Sequence, residues 1–349
     1  MLTYSNIKQA LPTAKLNIKS DWTGSNIQFD SRKLIKGEVF IALKGARNGH
    51  DFVFDAVAKG ASAVIIDEHL QEFVNLPTIM VENCLQALVN IGKFKRQQLS
   101  TPVIAITGSM GKTTLKQMLG SSLSTYGKCQ YPLGSFNNHI GVPLTLANTP
   151  HNAKYMVLEM GMNNSGEISQ LTNMGKPEIA IITTIGPVHL ENLGSMANIA
   201  SAKAEIFEGL TGQKIAILPI DNEYFPSLVA QAKLYASKIY TFGTHDAADI
   251  RLIECKNNLV SASIFGKNIQ FNTMLSQRHL QLYQVLSMGV IKLLELPLNQ
   301  AQEVISEFTA ERGRGKIHKI TLKDKALTII DEAYNASPYA NIVAISNLK

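Results

Sequence analysis

At 349 residues, 45% hydrophobic and 17% charged, the chain is long enough for two or three ordinary domains and too apolar to be disordered. Its formal charge of +6 comes from scattered lysines and arginines, without an arginine-rich or aromatic-interleaved run; this argues against a nucleic-acid binder, and an anionic small substrate, or no functional meaning, is the better reading. The three cysteines (Cys84, Cys129, Cys255) give neither a disulfide framework nor a metal spacing. With no leader pattern and no membrane-length apolar run, they point to a cytoplasmic protein without membrane insertion.

Residues 1–98 mix short strands and helices. Gln28-Phe29-Asp30-Ser31-Arg32 leads to a strand at Val39–Leu43. A helix starts at His50-Asp51-Phe52 and closes at Gly60, before a second strand at Ala63–Ile66. A helix near Gln86–Gln98 runs into Ser100-Thr101-Pro102, a plausible boundary. From Val103 onward, strands at Val103–Thr107, Tyr155–Glu159, Ile179–Thr183, Ile215–Pro219 and Lys238–Phe242 alternate with helical patterns. Such alternation predicts a mostly parallel sheet covered on both faces, with ligands at the strands' carboxyl ends. Residues 250–275 read as short β-segments and 278–310 as helices. After Gly313-Arg314-Gly315 comes a strand at Ala326–Ile330, then Asp331 to Pro338, then a helix start. About 35 residues are too few to bury a core of their own.

Ile104-Ala105-Ile106-Thr107-Gly108-Ser109-Met110-Gly111-Lys112-Thr113-Thr114 carries the strongest chemical signal. A β-branched run turns at glycine into a helix, which presents backbone N–H groups and a helix N-terminus to a phosphate. Lys112 supplies a point charge to the terminal phosphates, and the Thr113 hydroxyl can reach magnesium. Ile106 stands where a full Walker A motif has glycine. Glu159, ending a strand, can hold magnesium or be a solvated strand-end carboxylate. His189 follows a Gly-Pro turn near the same sheet end; magnesium prefers oxygen, and a polar loop histidine is an equal reading. Lys203 lies on a helix capped near Ser195, where a lone lysine is ordinarily a solvated surface charge. The run Asn137-Asn138-His139-Ile140-Gly141-Val142-Pro143-Leu144-Thr145-Leu146, a polar loop running into a helix start, is a substrate loop or a mere connection. Arg314 and Asp331 could meet phosphate and ribose; on physics alone they are ordinary surface charges.

Together these segments resemble the Mur ligase family, the ATP-dependent amide-forming ligases of peptidoglycan precursor synthesis. The family's phosphate loop is Thr-Gly-x-x-Gly-Lys-Thr-Thr, and the resemblance runs from about Asp30 to the end of the chain. Asn137–Leu146, Glu159–Ile168 and Tyr334-Asn335-Ala336-Ser337-Pro338 place it in the branch that adds D-alanyl-D-alanine to UDP-N-acetylmuramoyl-tripeptide. The resemblance implies an α/β chain with a mixed UDP-sugar domain (1–98), a central P-loop parallel-sheet ATPase domain (99–312), and the start of a Rossmann-like lid domain (313–349). It implies ATP and Mg2+ as cofactors, with Thr113, Glu159 and His189 at the metal. Gly108, Ser109, Met110, Gly111, Lys112, Thr113, Thr114, Asn138, His279, Arg314 and Asp331 would contact nucleotide. Ser31, Arg32, Asn137 and Asn335 would contact substrate, and Lys112, Lys203 (as its carbamate) and His189 would serve catalysis.

Gln277, Leu280 and Tyr283 break the family's Gly-x-His-Asn-x-x-Asn pattern around His279, and Ser337 replaces an asparagine. The expected third domain is cut short. The chain is therefore expected to be a monomeric ligase, one completed by a separate chain, or a remnant that only binds nucleotide and UDP-sugar. A MurE-like amino-acid ligase and a folylpolyglutamate synthase are the remaining alternatives.

Overall fold

The chain divides into two units, Met1–Ser100 with His139–Asn152, and Thr101–Asn138 with Ala153–Lys349. The computed structural model describes residues 1–69, 76–322, 325–335, 341–342 and 344–345.

In the first unit, five strands lie in the order Lys15–Asn17, Thr78–Met80, Ala63–Ile66, Val39–Ile41, Ile27–Gln28. All neighbours are parallel except the Lys15–Asn17 edge. Ala63–Ile66 is buried along its whole length, as a strand covered on both faces must be. The helix Cys84–Gln97 begins two residues before its expected start, where the Asn83 side chain accepts the Gln86 N–H at 2.8 Å. Its buried Ala87, Leu88 and Ile91 follow helical spacing.

Residues 139–152 join this unit by two devices. A Cβ on Gly92 would stand 2.8 Å from the Pro143 carbonyl oxygen, so glycine lets the helix Gly141–Ala147 pack close. The Asn148 amide accepts the Ile27 N–H at 2.7 Å and donates to the Ile27 carbonyl at 2.9 Å, completing the edge strand as a neighbouring backbone would. His50, Asp67 and Cys84 lie within metal-binding distance of one another, 4.8 Å, but already have protein partners. Nδ1 of His50 bonds Asn48 Oδ1 at 2.8 Å, Nε2 accepts the Asp67 N–H at 3.2 Å, and Asp67 Oδ2 accepts the Cys84 N–H at 3.0 Å. Burial, first of all, pushes the Cys84 thiol far above its usual value. The cluster is a structural knot.

The second unit carries a nine-stranded sheet in the order Lys267–Asn272, Leu259–Ile264, Ile250–Lys256, Lys238–Gly243, Ile215–Pro219, Ile179–Ile182, Val103–Thr107, Tyr155–Glu159, Cys129–Gln130. The last seven are parallel and the first two pair antiparallel, which bears out the expected sheet and the short β-segments of 250–275. The chain leaves Val103–Thr107 for strands on one side and returns to Ile179–Ile182 on the other. The phosphate-loop strand thus stands at the switch point, where parallel sheets open a crevice. Arg278–Leu293 and Leu298–Ser306 are the helices expected in 278–310. Lys325–Asp331 forms the expected strand; its antiparallel partner, Lys316–Leu322, has mostly exposed side chains and no periodic signature to announce it. Residues 336–340, which include Ser337 and Pro338, lie outside the described residues. Among the described residues, no helix is long and apolar enough to cross a membrane.

Candidate active site

The segment 108–111 turns tightly because two glycines occupy backbone that side chains resist. Gly108 has φ +145° and Gly111 φ +81°; a Cβ on Gly111 would lie 2.0 Å from the Tyr283 hydroxyl. The loop is pinned to the segment after the next strand. The Ser109 N–H donates to the Thr184 carbonyl at 2.8 Å, the Ser109 hydroxyl donates to the Gly186 carbonyl at 2.9 Å, and the Gly186 N–H donates back to Ser109 Oγ at 2.9 Å. The helix Lys112–Leu123 starts at once, so its free N–H groups and positive dipole end face the loop. Lys112 donates to the Gly108 carbonyl at 2.8 Å, and burial lowers its pKa.

A cleft of about 380 Å³ opens over this loop, lined by Ser109–Thr114, Asn222, Phe242, His279, Tyr283 and Arg314 among others. As site residues, sequence reasoning passed over Asn222, whose amide donates to the Ile185 carbonyl at 3.0 Å, and Phe242, the penultimate residue of the strand Lys238–Gly243. His279 meets the Tyr283 ring edge-on at 6.3 Å, and burial lowers its pKa to about 4. Gln277, one of the departures from the family pattern, donates to the Gly315 carbonyl at 2.9 Å, so it ties the helix start to the 313–315 turn.

Oxygen ligands gather where the helix meets the strand ending at Glu159. Thr113 Oγ1 donates to Glu159 Oε1 at 3.0 Å, and Asn137 Nδ2 donates to the same oxygen at 2.8 Å. Oε2 is buried with no hydrogen-bond donor. A buried carboxylate oxygen with an open lone pair beside a threonine hydroxyl is hard-cation chemistry, so the donor set fits magnesium. His189 takes a left-handed conformation, φ +63°, at the head of the short helix Leu190–Leu193. Its pKa is lowered by burial first and then by the Lys203 and Lys112 charges.

Lys203 departs from the ordinary reading of a lone helical lysine. It sits in the last turn of Met196–Ala204, a helix capped as expected by Ser195, whose hydroxyl oxygen accepts the Asn198 N–H at 3.1 Å. Its side chain is 2% exposed, and burial followed by the Lys112 charge pushes its pKa well below the usual range.

From 313 onward, Arg314 and Tyr334 converge on Ser135. The guanidinium lies 3.9 Å from the Tyr334 ring centre; Arg314 and Tyr334 donate to Ser135 Oγ at 3.1 and 3.0 Å. Ser135 had no sequence signal beyond its glycine neighbour. Asp331 is not among the cleft-lining residues; it accepts the N–H groups of Gly313 at 2.9 Å and Ala333 at 3.2 Å. Asn335 ends a 3-10 turn, and its side chain lies outside the described residues. Asn138 follows Asn137 in the loop. Ser31 and Arg32 belong to the first unit: Ser31 is buried, and Arg32 is exposed, with Nε 2.8 Å from Asp30 Oδ1 and Nη2 2.9 Å from Oδ2.

Residues 106–287 match the Mur ligase middle domain. The chain belongs to the Mur ligase family. It is 33% identical to the UDP-N-acetylmuramoyl-tripeptide–D-alanyl-D-alanine ligase of Rickettsia prowazekii over 339 residues, covering 96% of this chain and 75% of that one. It superposes on a crystal structure of MurF from Acinetobacter baumannii with a TM-score of 0.85 at 27% identity, over 99% of this chain and 76% of that one. MurF ligase from Thermotoga maritima, solved in complex with ADP, gives 0.77 at 26% identity, over 93% and 74%. These likenesses make the chain a Mur ligase of MurF type and support the multi-domain α/β fold expected from sequence.

Proposed function

We propose that this chain is an ADP-forming ligase that joins the amine of D-alanyl-D-alanine to the terminal carboxylate of UDP-N-acetylmuramoyl-tripeptide, making the pentapeptide precursor of peptidoglycan. The observation that carries this is the pairing of a phosphate-cradling cleft with the buried Thr113–Glu159 oxygen pair, in a chain similar over its length to ligases of that name. We assign UDP-sugar binding to residues 1–98, ATP binding to 99–312 and the start of a lid domain to 313–349. We assign the enzyme to the cytoplasm, as a monomer.

In this reading the tripeptide carboxylate attacks the γ-phosphate of ATP, and the D-alanyl-D-alanine amine displaces phosphate from the resulting acyl phosphate. The loop amides of Gly108–Thr114 receive the phosphates, and Lys112 offsets charge that develops on the transferred group. Thr113, Glu159 and His189 would hold magnesium, which when bound neutralises phosphate charge. Lys203, favoured as a neutral amine by its burial, can form a carbamate and so present oxygens instead of a cation. We assign His279, Asn138, Arg314 and Asp331 to the nucleotide; Asp331 holds the turn at Gly313 by accepting its N–H. Ser31 and Arg32 receive the uridine diphosphate; Asn137 and Asn335 contact the reacting substrates.

The test is phosphate release from ATP and magnesium with UDP-N-acetylmuramoyl-tripeptide, with and without D-alanyl-D-alanine. Release that requires both supports the proposal. Release that follows a diamino acid on the UDP-dipeptide instead makes this a MurE-like ligase. Binding of UDP-tripeptide and ATP without release leaves a nucleotide-binding protein only.

A further inference from the structure

Lys116 lies one helical turn beyond Lys112, and its side chain has no exposed surface. Its ammonium donates to the Gly134 carbonyl and stands 3.4 Å from Glu159 Oε2. That separation is longer than a charge-assisted hydrogen bond, so Lys116 meets Oε2 as a charge without occupying its lone pairs. Oε1 is already taken by Thr113 and Asn137. The carboxylate is 1% exposed, and a buried carboxylate without a counter-charge is strongly unfavourable. By holding Gly134, the lysine also anchors the short loop that brings Asn137 to Oε1.

From this geometry we propose that Lys116 is the resident counter-ion of the metal site. It balances Glu159 while no divalent cation is bound and leaves Oε2 open to one. The proposal rests on the nucleotide-and-magnesium reading above. Its consequence is an opposition: Lys116 and a divalent cation compete for the field of one carboxylate. The lysine therefore stabilises the cation-free protein and weakens cation binding. Removing its charge must move these two properties in opposite directions, which the loss of a merely structural contact would not do.

The experiment is thermal unfolding of the full chain and of Lys116→Met in saturating ADP, first in EDTA and then along a magnesium titration. The variant should melt about 4 °C or more below wild type in EDTA. Its magnesium-induced rise should be larger, and the dissociation constant fitted to that rise about threefold lower. An unchanged dissociation constant overturns the proposal by making Lys116 a packing residue; a raised one overturns it by making Lys116 an aligner of the carboxylate. If Lys116→Met does not fold, Lys116→Gln takes its place. Failure of both to fold even in magnesium also overturns it, since magnesium is proposed to replace the lost charge. If ADP stabilises wild type but magnesium adds nothing, the metal reading itself fails, and a wild type blind to ADP removes the nucleotide reading.

Discussion

The hydroxyl of Thr113 donates to Glu159 Oε1 at 3.0 Å, joining the first turn of the phosphate-loop helix to the end of a neighbouring strand. Parallel pairing sets this meeting. Glu159 lies opposite Ile106 in register, so both strands deliver their carboxyl ends to one place. A threonine one residue into the helix and a glutamate at the strand terminus then fall within a hydrogen bond of each other.

Lys112→Ala should lower phosphate release by about two orders of magnitude or more, the scale of losing one preorganised charge at a phosphoryl transfer site. Binding of UDP-tripeptide should stay within about twofold, because Lys112 belongs to the unit that carries the phosphate loop and Ser31 and Arg32 to the other. Release assays and calorimetric titration check the two sides; equal loss of both would remove the role given to Lys112.

Lys203→Ala should be nearly inactive, and short carboxylic acids such as formate or acetate should restore part of the activity by supplying the oxygens of the lost carbamate. The buried setting that lowers the Lys203 pKa favours the neutral amine, the form that adds carbon dioxide. Wild-type protein in 13C-bicarbonate should show a carbamate carbon resonance that the variant lacks. No resonance and no rescue would leave Lys203 an unmodified buried amine.

Gly111→Ala should destabilise the protein by about 2–4 kcal/mol, combining left-handed strain with a steric clash. The added Cβ would lie 2.0 Å from the Tyr283 hydroxyl and 2.4 Å from the ring carbon that bears it, at φ +81°. ADP binding should fall with it. Tyr283→Phe in the same chain should recover only part of the loss, because the ring carbons and the backbone strain remain; full recovery would mean that φ carries no cost here.

His279 has a folded pKa of about 4, against 6.5 for the free side chain. The unfolded chain therefore takes up this proton at higher pH than the folded one. The stability owed to this group is complete above about pH 6.5, falls as pH drops toward 4, and is flat below. Because the ring is half-buried, solvent moderates the size of the effect. His279→Gln should flatten that part of the curve of melting temperature against pH. A variant curve parallel to wild type would place the titration elsewhere.

Local chemistry alone determined the phosphate loop, the strand that feeds it and the helix that leaves it. A β-branched run, two glycines and a helix-forming segment admit little else, and each signal spans a few residues. Ser195 likewise announced the helix that carries Lys203, because an N-cap acts on backbone only three residues away. What packs over a helix is not local, so only the tertiary structure showed that Lys203 and Lys116 are buried. The same holds for Ser135, where Arg314 and Tyr334 meet from nearly two hundred residues away, and for residues 139–152, which interrupt one unit to complete the sheet edge of the other. Burial and long-range hydrogen bonds depend on which surfaces the topology brings together, and no residue carries that information in its immediate neighbours.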